Sequence, residues 1–142
     1  METTTSTRTA FRFGTTDTYL TPLGVGAMIM GTSTPEDEAR RILDHFITEV
    51  TPRYTALDGT AARGMIDTAD CYCWWNDRGS EGGHSEAALG RWLADTAARE
   101  RVYLATKGTA RVENASKAWD ADGNQDWVYA QRHYLGSSRA VL

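Results

Sequence analysis

Three short apolar runs, beginning at Leu23, Met65 and Val102 and therefore 42 and 37 positions apart, constrain this chain more than any other feature. Both intervals hold amphipathic helical patterns. A strand that must return to pair in parallel with its predecessor needs a crossover of at least a dozen residues, most often a helix. The order strand, helix, strand, helix, strand therefore predicts an α/β fold with parallel central strands. Ahead of it, FRFGTTDTYLTP reads as two short strands around a Thr-Thr-Asp turn, a hairpin over residues 11–22.

Leu23 to Ile29 alternates larger and smaller apolar residues and reads as a strand buried on both faces. Thr34-Pro35-Glu36-Asp37 then offers an N-cap, a proline at the first helical position and acids in the first turn. The helix it opens is expected to reach about Ile47, with Ala39, Ile42, Leu43 and Phe46 on its buried stripe. Residues 48–64 have no clean period and contain Pro52 and Gly59, which predicts a long loop, read as an insertion. The second strand closes on Asp67. Ser85 is expected to cap a helix that buries Ala88, Leu89, Trp92 and Leu93 and ends near Ala98, and Arg101 to Thr106 reads as the third strand. Residues 108–137 read as a long polar, irregular loop, and SSRAVL as the start of another helix.

The 142 residues make one domain, and 41% hydrophobic with 24% charged residues is an ordinary globular balance. The net charge is -4, with both signs mixed along the chain, which offers no electrostatic footprint for nucleic acid. No run of apolar residues exceeds the five from Cys71 to Trp75, against ~20 for a membrane span. A cytoplasmic protein without nucleic-acid or membrane partners is the expectation, and Cys71 and Cys73, one residue apart, suit a reducing compartment.

In a parallel α/β fold the carboxyl ends of the strands converge on the functional crevice. Asp67, Tyr72 and Lys107 fall there. A carboxylate that ends an apolar strand needs a partner, which the lysine ending the next strand can supply. An ammonium beside a phenol favours phenolate and so makes a better proton donor. Asp67 would hold Lys107 charged, and Tyr72 would act as a general acid toward a carbonyl oxygen. A structural ion pair with a packed tyrosine is the competing reading from spacing alone. Cys71, Cys73 and His84 make a poor zinc set, since Cys-x-Cys is not the usual chelating spacing and only three ligands are present; no metal site is expected. Asp120, Asp122, Asn124 and Asp126 alternate like a calcium loop, but Gly123 falls at the fourth position and Gln131 at the twelfth, so a solvated loop is predicted.

With these motifs in order, the sequence resembles the aldo-keto reductase superfamily. The resemblance is carried by LGVGAMIMG, by Asp67-Thr68-Ala69-Asp70-Cys71-Tyr72, by Ser85-Glu86-Ala87-Ala88-Leu89-Gly90 and by Ala105-Thr106-Lys107. It implies a (β/α)8 TIM barrel, of which residues 1–142 would be the amino-terminal hairpin and about three βα units. It also implies NADPH-dependent reduction of an aldehyde or ketone. Tyr72 would be the proton donor, Lys107 its activating neighbour and Asp67 the partner of the lysine and part of the cofactor site. Gly26, Ala27 and Met28 would lie against the nicotinamide ribose, with Trp74 and Trp75 lining the pocket of a small carbonyl substrate. The family's catalytic histidine follows a fourth strand, a position that none of His45, His84 and His133 occupies. A barrel takes ~250 residues, so the chain reads as an incomplete barrel whose unpaired sheet edges invite self-association. The alternative is a non-catalytic, partner-binding protein that keeps part of the reductase fold.

Overall fold

The structure, a computed structural model, describes residues 8–135 except 77, 79 and 109. It is a mixed α/β fold. In chain order the strands are β1 (Arg8–Thr9), β2 (Phe11–Arg12), β3 (Tyr19–Gly26), β4 (Tyr54–Thr55), β5 (Arg63–Asp67), β6 (Val102–Ala105), β7 (Arg111–Val112) and β8 (Tyr134–Leu135). The α-helices are α1 (Glu36–His45), α2 (His84–Thr96) and α3 (Trp127–Arg132). The main sheet runs β2-β3-β5-β6, antiparallel between β2 and β3 and parallel thereafter. Both the hairpin and the two parallel crossovers predicted from the spacing are present.

The first central strand departs from its expected form. It is continuous with the second arm of the hairpin and ends at Gly26, while Ala27 to Met30 form a turn and an isolated bridge. Nor is it buried on both faces: Leu23 is 58% exposed, and Met28 and Ile29 are also open to solvent. The register explains Leu23. Leu20 pairs with Arg63 but Gly24 with Met65, so β3 holds two extra residues there, around Pro22, which has no N–H to give to a ladder. Thr21 Oγ1 donates to Leu23 O at 2.6 Å within that bulge.

Alternation along β5 decides which side of the sheet is covered. Ile66 and Val102 are fully buried with α1 and α2, together with Leu43, Leu89 and Trp92. Met65 and Tyr103 take the other face and stay half-buried, with Phe13 of the hairpin against Tyr103 at a ring-centroid distance of 4.8 Å. Helix α1 begins at Glu36 with Pro35 in the cap position and no side-chain cap, so Thr34 does not play the expected role. Its buried stripe is Ala39, Leu43, Phe46 and Ile47, whereas Ile42 is 40% exposed. The chain widens into a π-turn over Phe46–Val50, where Phe46 and Ile47 continue the stripe seven and eight residues on from Ala39. The fully buried Trp92 of α2 donates its indole N–H to Oδ1 of the exposed Asp44 at 2.8 Å and so ties the two helices together.

Residues 48–64 are not an irregular loop. They hold the end of the π-turn, a 3-10 turn at Thr51–Arg53 and β4, which pairs in parallel with β1. Residues 108–135 are likewise organised. The β7–β8 pair, a 3-10 turn at Ala115–Ala118 and α3 close over a second small core of Ala69, Trp74, Val112, Ala118 and Ala130. Asp126 caps α3 by accepting from the Tyr129 N–H at 2.9 Å, and Asp120 accepts from both nitrogens of Asn124; these acids close turns. The expected helix over SSRAVL lies outside the described residues.

Gly64 shows how tightly the turns that follow α1 seat on the sheet. A Cβ there would stand 2.5 Å from Phe46 Cε1 and 2.7 Å from Thr51 Oγ1. Gly64→Ala should cost about 1–3 kcal/mol in urea unfolding; unchanged stability would show that the Phe46 ring has free space to turn into.

Candidate functional site

Parallel pairing brings Gly26, Asp67 and Ala105 level at the carboxyl ends of three strands. The ladder continues past the strands: Ala27 N–H donates to Asp67 O at 2.8 Å, Thr68 N–H to Ala105 O at 2.9 Å and Asp70 N–H to Lys107 O at 3.0 Å. Asp67 shares the half-open face with Met65 because it lies two residues on.

Lys107 Nζ donates to Asp67 Oδ1 at 2.6 Å and to Thr68 O at 2.7 Å, and stands 5.0 Å from the centroid of the Tyr72 ring. The three expected residues are thus together. Burial opposes the charge on Lys107, but the hydrogen bond to Asp67 and the adjacent Tyr72 outweigh it, and the ammonium is held above the usual lysine value of 10.5. Both side chains of the pair are about half exposed, so water screens part of their attraction.

The turn over residues 71–75 brings the tyrosine here. Cys73 occupies the left-handed region at φ 78° and is fully buried. Its backbone O accepts from Ser80 Oγ at 2.9 Å, and its thiol donates to Met28 O at 3.2 Å, pinning the turn to the segment that follows β3. Gly82 packs beneath it at φ +89°, where a Cβ would lie 2.7 Å from Cys71 O. Burial, then the neighbouring Asp70 carboxylate, pushes the Cys71 thiol up, which makes it a poor nucleophile. Both cysteines are free. Among the described residues no three His, Cys, Asp or Glu side chains gather as a metal site.

The two tryptophans meet edge-on at a ring-centroid distance of 6.0 Å but differ in burial. Trp74 is only 2% exposed and packs edge-on against Trp127 at 5.2 Å, inside the second core. Trp75 is half-buried and meets Tyr72 edge-on at 6.1 Å. Beside them, Ala27 is buried, Met28 is 48% exposed, and nothing lies within 4 Å of where a Cβ on Gly26 would stand. Of the histidines, His45 is exposed at the end of α1, His84 opens α2, and His133 stacks on Tyr129 at 4.0 Å while its Nδ1 lies 2.8 Å from Tyr129 O.

Ser85 is the residue whose role the sequence reading missed. Gly83, not Ser85, occupies the cap position of α2. The Ser85 side chain points inward, within hydrogen-bond distance of Thr68 Oγ1 and Ala27 O. Its place one residue inside the helix, followed by Glu86, is the only sequence signal.

A mixed sheet that gathers a carboxylate, an ammonium and a phenol at and beyond the ends of its parallel strands defines an α/β protein with a cluster of titratable side chains there. Residues 22–133 match the sequence profile of the Aldo/keto reductase family. An uncharacterized 11.2 kDa protein encoded in the crtE 3' region of Pseudescherichia vulneris is 35% identical over 97 residues, covering 66% of this chain and 80% of that protein. The chain belongs to the Aldo/keto reductase family, as its motifs implied, and at family level its class is that of an oxidoreductase. No helix among the described residues is long and apolar enough to cross a membrane.

The raised Lys107 value sets a pH dependence. An ammonium favoured in the folded state contributes stability that is fully present below the unfolded value near 10.5 and is lost as pH rises through the folded one. The urea midpoints of the native chain and Lys107→Met should therefore differ by a constant amount up to about pH 10 and converge above it. A gap that widens with alkalinity would contradict the pairing.

Proposed function

We propose that this chain carries the proton-donating part of a site for NADPH-dependent reduction of an aldehyde or ketone to an alcohol. The observation that chiefly supports the reading is the joint placement of Lys107 Nζ at 2.6 Å from Asp67 Oδ1 and 5.0 Å from the Tyr72 ring. Tyr72 gives its phenolic proton to the carbonyl oxygen as negative charge develops there. The phenolate left behind is stabilised by the Lys107 ammonium, which Asp67 orients and keeps charged. When bound, NADPH supplies the hydride to the carbonyl carbon.

The chain's own residues fit one end of that cofactor. Gly26 leaves the strand end bare, Ala27 is fixed by its N–H to Asp67 O at 2.8 Å, and Met28 offers a solvent-facing apolar side chain beside them. Together with Asp67 these would receive the nicotinamide ribose. Trp75 would flank the substrate next to Tyr72, whereas Trp74 supports it from the core. In this reading the hairpin and the βα units are the amino-terminal portion of a (β/α)8 barrel, located in the cytoplasm.

A second reading is favoured by one observation. Leu23, Met28 and Ile29 are 58%, 48% and 40% exposed, and β6 ends the main sheet among the described residues. A chain that keeps this fold to associate with itself or a partner would cover them.

Titration of NADPH fluorescence on the protein as its gene encodes it, followed by NADPH oxidation with a panel of aldehydes, tests the first reading. Saturable binding is expected, with Tyr72→Phe retaining it and losing about 100-fold or more of the turnover. Equal turnover in Tyr72→Phe would sink the assignment of the acid. A uniform oligomer that binds no NADPH would favour the second reading.

A further inference from the structure

The start of α2 grips the ends of all three central strands, through side chains that the proton-transfer scheme does not use. Ser85 Oγ donates to Ala27 O at 2.6 Å, just past β3, and lies 2.7 Å from Thr68 Oγ1, just past β5. Glu86 Oε1 accepts from Thr106 Oγ1 at 2.6 Å, just past β6. A serine hydroxyl has one proton. Since that proton goes to Ala27 O, Thr68 must be the donor in the Thr68–Ser85 pair. The result is a one-way chain of hydroxyls, Thr68 to Ser85 to Ala27 O. Ser85 is fully buried and Thr68 1% exposed, so no water competes for either group.

This chain fixes the peptide that Lys107 uses. Thr68 is held through its side chain by Ser85 and through its N–H by Ala105 O at 2.9 Å, and its carbonyl accepts from Lys107 Nζ at 2.7 Å. The residue before Lys107 is held by Glu86. We infer that Ser85, acting through the Thr68 hydroxyl, is a positioning residue that aims the Thr68 carbonyl at Lys107 and so holds the ammonium between Asp67 and Tyr72. The inference deepens the reading of Lys107 as the neighbour of a proton donor and rests on it for its functional meaning.

The test does not need turnover. The sequence holds two lysines, Lys107 and Lys117, so in protein labelled with 13C at lysine Cε the signal lost in Lys117→Arg identifies the other. Ser85→Ala and Thr68→Val should shift the Lys107 titration midpoint down toward the ~10.4 of a free lysine, and Thr68→Ser, which keeps the hydroxyl, should restore it. Leu93→Ala, on the same helix but away from the relay, should lower Tm and leave the midpoint in place. A native midpoint in Ser85→Ala, or in Thr68→Val if Ser85→Ala does not fold, would overturn the inference. Failure of the carbonyl-reduction reading would show separately, as undiminished turnover in Tyr72→Phe.

Discussion

The pairing of β3, β5 and β6 in parallel and in register is the constraint on which the rest of this structure depends. Parallel hydrogen bonding carries every strand in the same direction, so the residues that finish each strand arrive at one edge. Gly26, Asp67 and Ala105 come level there, and the ladder runs on until Lys107 O accepts from Asp70 N–H. An aspartate and a lysine 40 positions apart thereby meet at 2.6 Å. The same pairing leaves one face to the helices, and the burial of Ile66, Val102, Leu89 and Trp92 on that face supplies the main hydrophobic stabilisation.

Several side chains at or just past the strand ends pair with one another or with the start of α2. The Asp67 carboxylate faces an ammonium, the Thr68 hydroxyl is spent on Ser85, the Ser85 hydroxyl on Ala27 O, and the Thr106 hydroxyl on Glu86. The Cys73 turn is held in a left-handed conformation by Ser80 and Met28. Such a conformation is costly for a side-chain-bearing residue and persists only where its surroundings over-determine it. Here they do, and Tyr72 is delivered beside Lys107 as a consequence. The run of cysteine and tryptophan behind Asp67 is thus the packing that turns the chain: Cys73 anchors to the segment after β3, and Trp74 fills a second core.

Much of this was legible from residue pattern. The strand order and crossovers follow from where apolar runs begin, and the meeting of Asp67 with Lys107 from their positions at successive strand ends. The family follows from four motifs in order. Errors cluster where one residue's local signal was overruled. Leu23 looked like a core residue, but the bulge around Pro22 broke the alternation of β3. Ile42 fitted the helical stripe by spacing but lies at its margin, 40% exposed beside the buried Ala39 and Leu43. Ser85 had the chemistry of a cap and became a buried tie, because two glycines at positive φ, Gly82 and Gly83, start the helix two residues earlier. Residues 48–64 and 108–135 looked irregular because their strands are two residues long, too short to carry a period.

Residue order alone sets the alternation of strands and helices, which strand ends bear a carboxylate, an ammonium and a phenol, and the family to which the chain belongs. Those are properties of periodicity and of motif, and both are written along one dimension. Three-dimensional packing is what makes Trp74 core while Trp75 borders the site, turns Ser85 inward and faces the Thr68 carbonyl toward Lys107. Each of these depends on the direction of a single side chain or peptide, set by contacts with residues that are distant in the chain.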